Sequence, residues 1–175
     1  VPMSPRTGSC GTGLSFHNEV LLREIDKVDE VGMLVTTGKK VFREALFWEA
    51  LSRKKERFDL QVIMLDPDSG DTKMRQNDAY KPRSPDFLKR EIEENAKAVL
   101  AMHGKFLGQN KNVLIDLRYS DRLCPFRLSF IGKKSVIAAT YSMAQRTDES
   151  TPFYIFEERD IRGLYEGFRS YYTPI

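Results

Sequence analysis

A mixed α/β sheet flanked by helices is the fold class this sequence predicts, and three observations carry the prediction. Segments with helical spacing alternate with short apolar runs through the N-terminal part of the chain, the pattern of strands joined by crossover helices. Leu88, Ile92, Ala96, Val99, Met102 and Phe106 recur every three or four residues, which gives one long helix a continuous apolar stripe. The C-terminal part then holds strand-length segments in succession, two of them separated only by Gly132-Lys133-Lys134. The resulting order is α-β-α-β-α-β-β-β-β-α.

Residues 1–15 are rich in Gly, Ser, Thr and Pro without periodicity, and they are expected to form a flexible arm ahead of a single domain over 16–175. Gly8-Ser9-Cys10-Gly11-Thr12-Gly13 has the glycines of a phosphate loop but neither the lysine nor the preceding strand. Phe16 to Val28 reads as a helix, with Leu21, Ile25 and Val28 sharing a face. Glu30 to Thr37 reads as a short buried strand stopped at Gly38. Lys39 to Arg53 follows as a helix with Val41, Ala45, Trp48 and Leu51 on one stripe. Phe58 to Leu65 predicts a central strand buried on both faces, and Asp66-Pro67-Asp68-Ser69-Gly70 supplies the turn chemistry that ends it. Residues 67–83 are polar and irregular, a binding loop or solvated chain. Ser84 as N-cap, Pro85 and Asp86 open the long helix. Strands are expected at Val113–Tyr119, Phe126–Ile131, Ser135–Tyr141 and Pro152–Phe156. Asp160 then caps a last helix carrying Ile161, Leu164, Tyr165 and Phe168.

Composition narrows the classes of function. A length of 175 residues fits one domain, and 41% hydrophobic with 30% charged residues is the balance of a globular chain. A net charge of +3 is too small to argue for nucleic acid by itself. No run of about 18 apolar residues is present to span a bilayer, and no charged-then-apolar leader opens the sequence. Two cysteines far apart, Cys10 and Cys124, and two histidines favour neither a metal cage nor a disulfide framework. No metal and no cofactor are expected, and a reducing cytoplasm is the expected compartment. A chain that begins at Val1 is expected to be a fragment of something longer.

The stretch Pro125-Phe126-Arg127-Leu128-Ser129-Phe130-Ile131-Gly132 with Ser135–Tyr141 resembles the strand-turn-strand of the phospholipase D-like superfamily, His-x-Lys-x-x-x-x-Asp followed by a small-residue strand. Thr36-Thr37-Gly38 after the first strand and Leu65-Asp66-Pro67-Asp68-Ser69 resemble further stretches of degenerate members, some of which follow regulatory or DNA-binding domains. On that frame the histidine position holds Pro125, the lysine position Arg127 and the aspartate position Gly132. The resemblance implies a phospholipase D-like half-domain. It also implies that the phosphoryl acceptor is lost, because proline is neither a nucleophile nor a proton shuttle. Arg127 keeps a cation able to grip two oxygens of a phosphate, though not to transfer protons near neutral pH.

Strand alternation puts Asp116 and Arg118 on one face of their strand, and Arg127 and Ser129 on one face of theirs. Should those polar faces adjoin, Arg118, Arg127 and Thr140, with Tyr141, would line an anion-binding cleft; the alternative is a structural ion pair of Asp116 with an arginine. Lys133-Lys134 reads as a solvated hairpin tip, Cys124 as an inert thiol and His103 as a helix-surface or boundary residue. The expected function is a non-catalytic ligand-sensing or regulatory domain. It would bind a phosphate-bearing small molecule, a nucleotide being one candidate, and signal through homodimerisation to an attached effector. The aromatic surplus Phe153, Tyr154, Phe156, Tyr165, Phe168, Tyr171 and Tyr172 adds to the expectation of a dimer. The alternatives are a phosphodiesterase or nuclease with non-standard residues and a purely architectural dimerisation domain.

Overall fold

In the computed structural model the described residues are 10–79, 84–133, 135–140, 151–157 and 167. They build one seven-stranded sheet. The elements in chain order are β1 (Cys10–Thr12), α1 (Gly13–Ile25), β2 (Glu30–Val35), α2 (Lys39–Phe42), α3 (Ala45–Ser52), β3 (Phe58–Leu65), α4 (Gly70–Ala79), α5 (Phe87–Gly108), β4 (Val113–Ser120), β5 (Phe126–Ile131), β6 (Ser135–Thr140) and β7 (Pro152–Glu157). The strands lie in the order β1-β7-β6-β5-β2-β3-β4. The β2, β3 and β4 strands run parallel, as their helical crossovers require. The others are antiparallel, and the two halves meet where β2 pairs with β5. A mixed sheet with flanking helices is therefore the observed fold class.

The apolar residues divide by the pleat. Val31, Met33 and Val35 of β2, Leu60, Val62 and Met64 of β3, and Ile115 of β4 face one way. They form one core with Leu21 and Ile25 of α1, Phe47 and Leu51 of α3, and Leu88, Ile92, Val99 and Phe106 of α5. Residues of opposite parity, Leu34, Leu128, Phe130, Val136 and Ala138, form a second, smaller core on the other face. Burial on both faces is thus greatest around β2, β5 and β6, not at β3, where Gln61 is exposed. A strand one place from the sheet's edge has one face open to water, which the continuous apolar run Ile63-Met64-Leu65 does not reveal.

Several boundaries differ from those expected, each for a local reason. Cys10–Thr12 is not an arm but an edge strand on β7, and α1 begins directly after it at Gly13. Backbone pairing, which leaves no side-chain period over three residues, is what orders it. The helix expected over 39–53 is two helices, because Glu44 is extended at φ −83°, ψ 113°. The break is stabilised by the Trp48 indole, whose Nε1–H donates to the Phe42 carbonyl at 2.7 Å. Residues 70–79, expected to be irregular, are helical. Ser69 Oγ accepts the Thr72 N–H at 3.1 Å and the Gln76 side chain accepts the Leu88 N–H at 2.6 Å. Its buried positions are Thr72, Arg75 and Gln76, so no apolar stripe announces it. α5 starts at Phe87, with Asp86 rather than Ser84 in the N-cap position; the Ser84 carbonyl closes the preceding turn. Of the helix expected from Asp160 only Gly167, which is helical, is among the described residues; Lys134, Tyr141, Tyr165, Phe168, Tyr171 and Tyr172 lie outside them.

Gly38 ends the β2 turn at φ 65°, the left-handed region that favours glycine. A Cβ there would also run into the Phe42 ring, itself buried in the core. Gly38→Ala is therefore expected to destabilise the domain by about 1–3 kcal/mol in urea unfolding. Gly104→Ala, on α5 with open space around it, is expected to be neutral or mildly stabilising.

Candidate functional site

The residues singled out on β4, β5 and β6 do not converge. Register fixes this without reference to rotamers, since laterally paired residues share a face. Arg118 pairs with Ile63, Ile63 with Leu34, and Leu34 with Leu128, while Thr140 pairs with Phe126. All six lie on the face of the smaller core. Arg127 pairs with Ala139 and projects to the opposite, helix-covered face. Two strands, β2 and β3, also separate β4 from β5. The common cleft expected of Arg118, Arg127 and Thr140 is not formed. Arg118 Nη2 instead meets Asp116 Oδ2 at 2.6 Å, with both side chains about half exposed, which is the ion-pair alternative. Thr140 is exposed at the end of β6, and Tyr141 lies outside the described residues.

What the fold brings to Arg127 is His17. The two belong to β5 and α1, and His17 is fully buried while Arg127 is 6% exposed. His17 stands four residues before Leu21 and eight before Ile25, on the very stripe that identifies α1 as amphipathic. The helix lays that stripe on β5 and β7. His17 Nδ1–H donates to Asn18 Oδ1 at 2.9 Å, which leaves Nε2 to accept the Ser129 hydroxyl at 2.9 Å. Asn18 Nδ2 donates to the Lys40 carbonyl at 3.1 Å, so one relay of side chains ties α2 through α1 to β5. The Phe153 ring lies 5.4 Å from the imidazole and 5.9 Å from the Arg127 guanidinium carbon.

Burial, and secondarily the adjacent Arg127 cation, push the His17 pKa down to about 3 from 6.5. The ring is consequently neutral throughout the physiological range. It accepts a hydrogen bond from the Ser129 hydroxyl without adding a second positive charge beside Arg127. The group at the mouth of the same strand face, Pro125, is exposed and chemically inert. The cluster can therefore present a held cation, but residue 125 contributes no nucleophile to it.

Other features noted in the sequence fall elsewhere. Cys124 is half-buried and its thiol is pushed up by burial, which makes it a poor nucleophile. It lines a shallow cleft at the carboxyl ends of β2 and β3 with Thr36, Ser120, Arg122 and Phe126. His103 is half-buried on α5, far along the chain from any strand of the cluster. A polar seam the sequence does not announce joins α2 to α5: Lys39 Nζ meets the buried Glu91 at 2.6 Å, and Arg43 Nε donates to the buried Asn95 at 3.1 Å.

The architecture defines an α/β domain with a mixed, seven-stranded sheet. No family model and no curated protein sequence matches the chain. Among solved structures, the archaeal chromatin protein TrmBL2, described as showing a novel mode of DNA binding, matches with a TM-score of 0.54 at 10% identity, over 98% of this chain and 52% of that one. The phosphatidylserine synthase of Haemophilus influenzae Rd KW20 matches with a TM-score of 0.54 at 11% identity, over 98% and 39%. Nuc from Salmonella typhimurium, a phospholipase D family member, covers 94% and 91% at 14% identity with a TM-score of 0.45. The chain thus spans about half the length of TrmBL2 and about two fifths of the synthase. At these identities the likeness is one of fold. No helix among the described residues is long and apolar enough to cross a membrane.

The burial of His17 gives stability a defined dependence on pH. The unfolded chain protonates His17 near 6.5, whereas the folded chain holds it neutral down to about 3. Between those values the unfolded state binds more protons, so stability falls as the pH is lowered. His17 should contribute up to about 1.4 kcal/mol per pH unit within that window. Urea unfolding of wild type and His17→Gln at pH 7 and pH 4.5 checks this: the difference between the two proteins should shrink on acidification.

Proposed function

We propose that this chain is a non-catalytic ligand-binding or regulatory domain of phospholipase D-like type, which recognises a phosphate-bearing small molecule through Arg127. One observation carries the reading: the guanidinium that stands at the frame's phosphate-lysine position is held in the sheet beside a histidine that stays neutral. A buried cation of this kind attracts an anion more strongly than a solvated one, because less water screens it. Its planar fork suits two oxygens of one phosphate. Pro125 in the histidine position argues against covalent phosphoryl transfer there. The second reading, an active phosphodiesterase, has the His17–Ser129 hydrogen bond in its favour. Both groups are buried, but so is Arg127 beside them, so it is the proline at position 125 and not burial that separates the two readings.

The reading extends to regulation. TrmBL2 binds DNA and matches this chain over about half its own length. A sensing domain linked to a DNA-binding or other effector module, acting as a homodimer, is consistent with that proportion. The ligand in this reading is a nucleotide or another phosphorylated metabolite.

Calorimetry against a panel of nucleotides and sugar phosphates tests the proposal. Arg127→Ala should weaken binding about ten- to a hundred-fold, equivalent to about 1.5–3 kcal/mol, with Arg127→Lys intermediate. Neither wild type nor variant should turn over phosphodiesters. Absence of anion binding by folded wild-type protein, or equal binding by folded Arg127→Ala, counts against Arg127 as the ligand residue.

A further inference from the structure

The outer strand β4 ends the sheet at one side, and among the described residues nothing pairs with its free edge. It is eight residues long, whereas the strand at the opposite edge, β1, has three. Natural edge strands are blunted by proline, charged side chains, bulges or shortness. The β4 sequence, Val-Leu-Ile-Asp-Leu-Arg-Tyr-Ser, has neither proline nor shortness, and its two charges, Asp116 and Arg118, are of opposite sign and paired with each other. Leu114 and Tyr119 on it are 41% and 49% exposed. The carbonyls of Asn112 and Ser120 both point inward, to Phe58 and Asp66 of the β3 side. Along a strand the backbone groups alternate in direction, so Ile115, Leu117 and Tyr119 direct theirs outward.

We propose that this edge pairs antiparallel with β4 of a second copy of the chain, about a two-fold axis at Leu117. In that register Leu117 faces its own counterpart as a hydrogen-bonded pair and Ile115 lies opposite Tyr119. Asp116 then lies opposite the partner's Arg118, and Arg118 opposite the partner's Asp116. These charged pairs fall at the non-hydrogen-bonded positions, where facing side chains come closest. Slipping the register by two residues either way puts Asp116 against Asp116 or Arg118 against Arg118. Slipping by one residue places opposite faces of the sheet together. The charges on the edge therefore select one register, and the intrachain Asp116–Arg118 contact of 2.6 Å becomes part of a four-charge array of alternating sign. The surface is isologous, as a closed dimer requires. It is remote from Arg127 and stands whether or not that residue binds an anion.

Sedimentation equilibrium of the chain at about 5–200 μM tests this at low salt. Wild type should dimerise with a roughly micromolar constant. Arg118→Asp, which sets four like charges together, should weaken association at least about ten-fold. The exchange variant Asp116→Arg with Arg118→Asp restores opposite charges in both pairs and should restore the dimer. Leu117→Pro removes an outward N–H together with part of the packing of Leu117 on the main core, and the protein that still folds should be monomeric. Amide exchange supplies an independent reading: Ile115, Leu117 and Tyr119 amides should slow as concentration rises. A wild type that is monomeric at 200 μM overturns the proposal, as does a folded Arg118→Asp or Leu117→Pro variant that dimerises like wild type. A folded exchange variant that stays monomeric overturns the charge pairing.

Discussion

A small polar island in the middle of the sheet sets conditions that the surrounding structure has to meet. Arg127 and Ser129 sit on a strand that is buried on both faces, where an unanswered hydroxyl or guanidinium costs several times what a satisfied one contributes. The imidazole of His17 answers the hydroxyl, and the Phe153 ring packs against both the imidazole and the guanidinium. For His17 to reach Ser129, α1 must lie across β5 and β7 with one rotation about its axis. That rotation also delivers Leu21 and Ile25 to the main core. A neutral imidazole is a requirement of the arrangement, because a second cation beside Arg127 in a dry interior would oppose it.

The sheet itself joins two kinds of construction. Its parallel half, β2-β3-β4, is built from crossover connections, and α2, α3 and α5 pack with the larger core. Its antiparallel half runs outward from β5 through β6 and β7 to β1. The cation at issue lies beside the junction, on the first strand of the antiparallel half. The charged pair Asp116–Arg118 lies on the far strand of the parallel half and on the other face. Separation of this kind allows a domain to bind at one place and associate at another. The polar seam of Lys39, Arg43, Glu91 and Asn95 clamps α2 against α5 and gives the parallel half a helical layer that does not rest on apolar contact alone.

The shared fold with a chromatin protein and with a phosphatidylserine synthase shows that this architecture does not choose an activity. In the function we propose, a few side chains at the start of β5 make that choice. Exposed Pro125 provides no acceptor there, whereas buried Arg127 provides a positive charge. A phosphoryl-transfer reaction needs a nucleophile as well as charge stabilisation, and binding needs only the second.

The sequence by itself determined the element types of the sheet, because a period of two or an unbroken apolar run is written locally in β2 to β7. It also determined the long α5, whose stripe repeats over many turns, and the absence of a nucleophile at position 125. It could not reveal α4, whose buried face is Thr72, Arg75 and Gln76 and whose ends are held by hydrogen bonds to remote groups. Nor could it show the break at Glu44, which depends on where the Trp48 indole finds its acceptor. The site divides in the same way. Alternation correctly placed Arg127 with Ser129 and Asp116 with Arg118, but the strand register decided that the two pairs lie on opposite faces, and the strand order set them two strands apart. His17 and Ser129 are 112 residues apart, and only the packing of α1 across β5 brings them within 2.9 Å. Local periodicity reports which way a side chain points, whereas the tertiary structure alone decides what it meets.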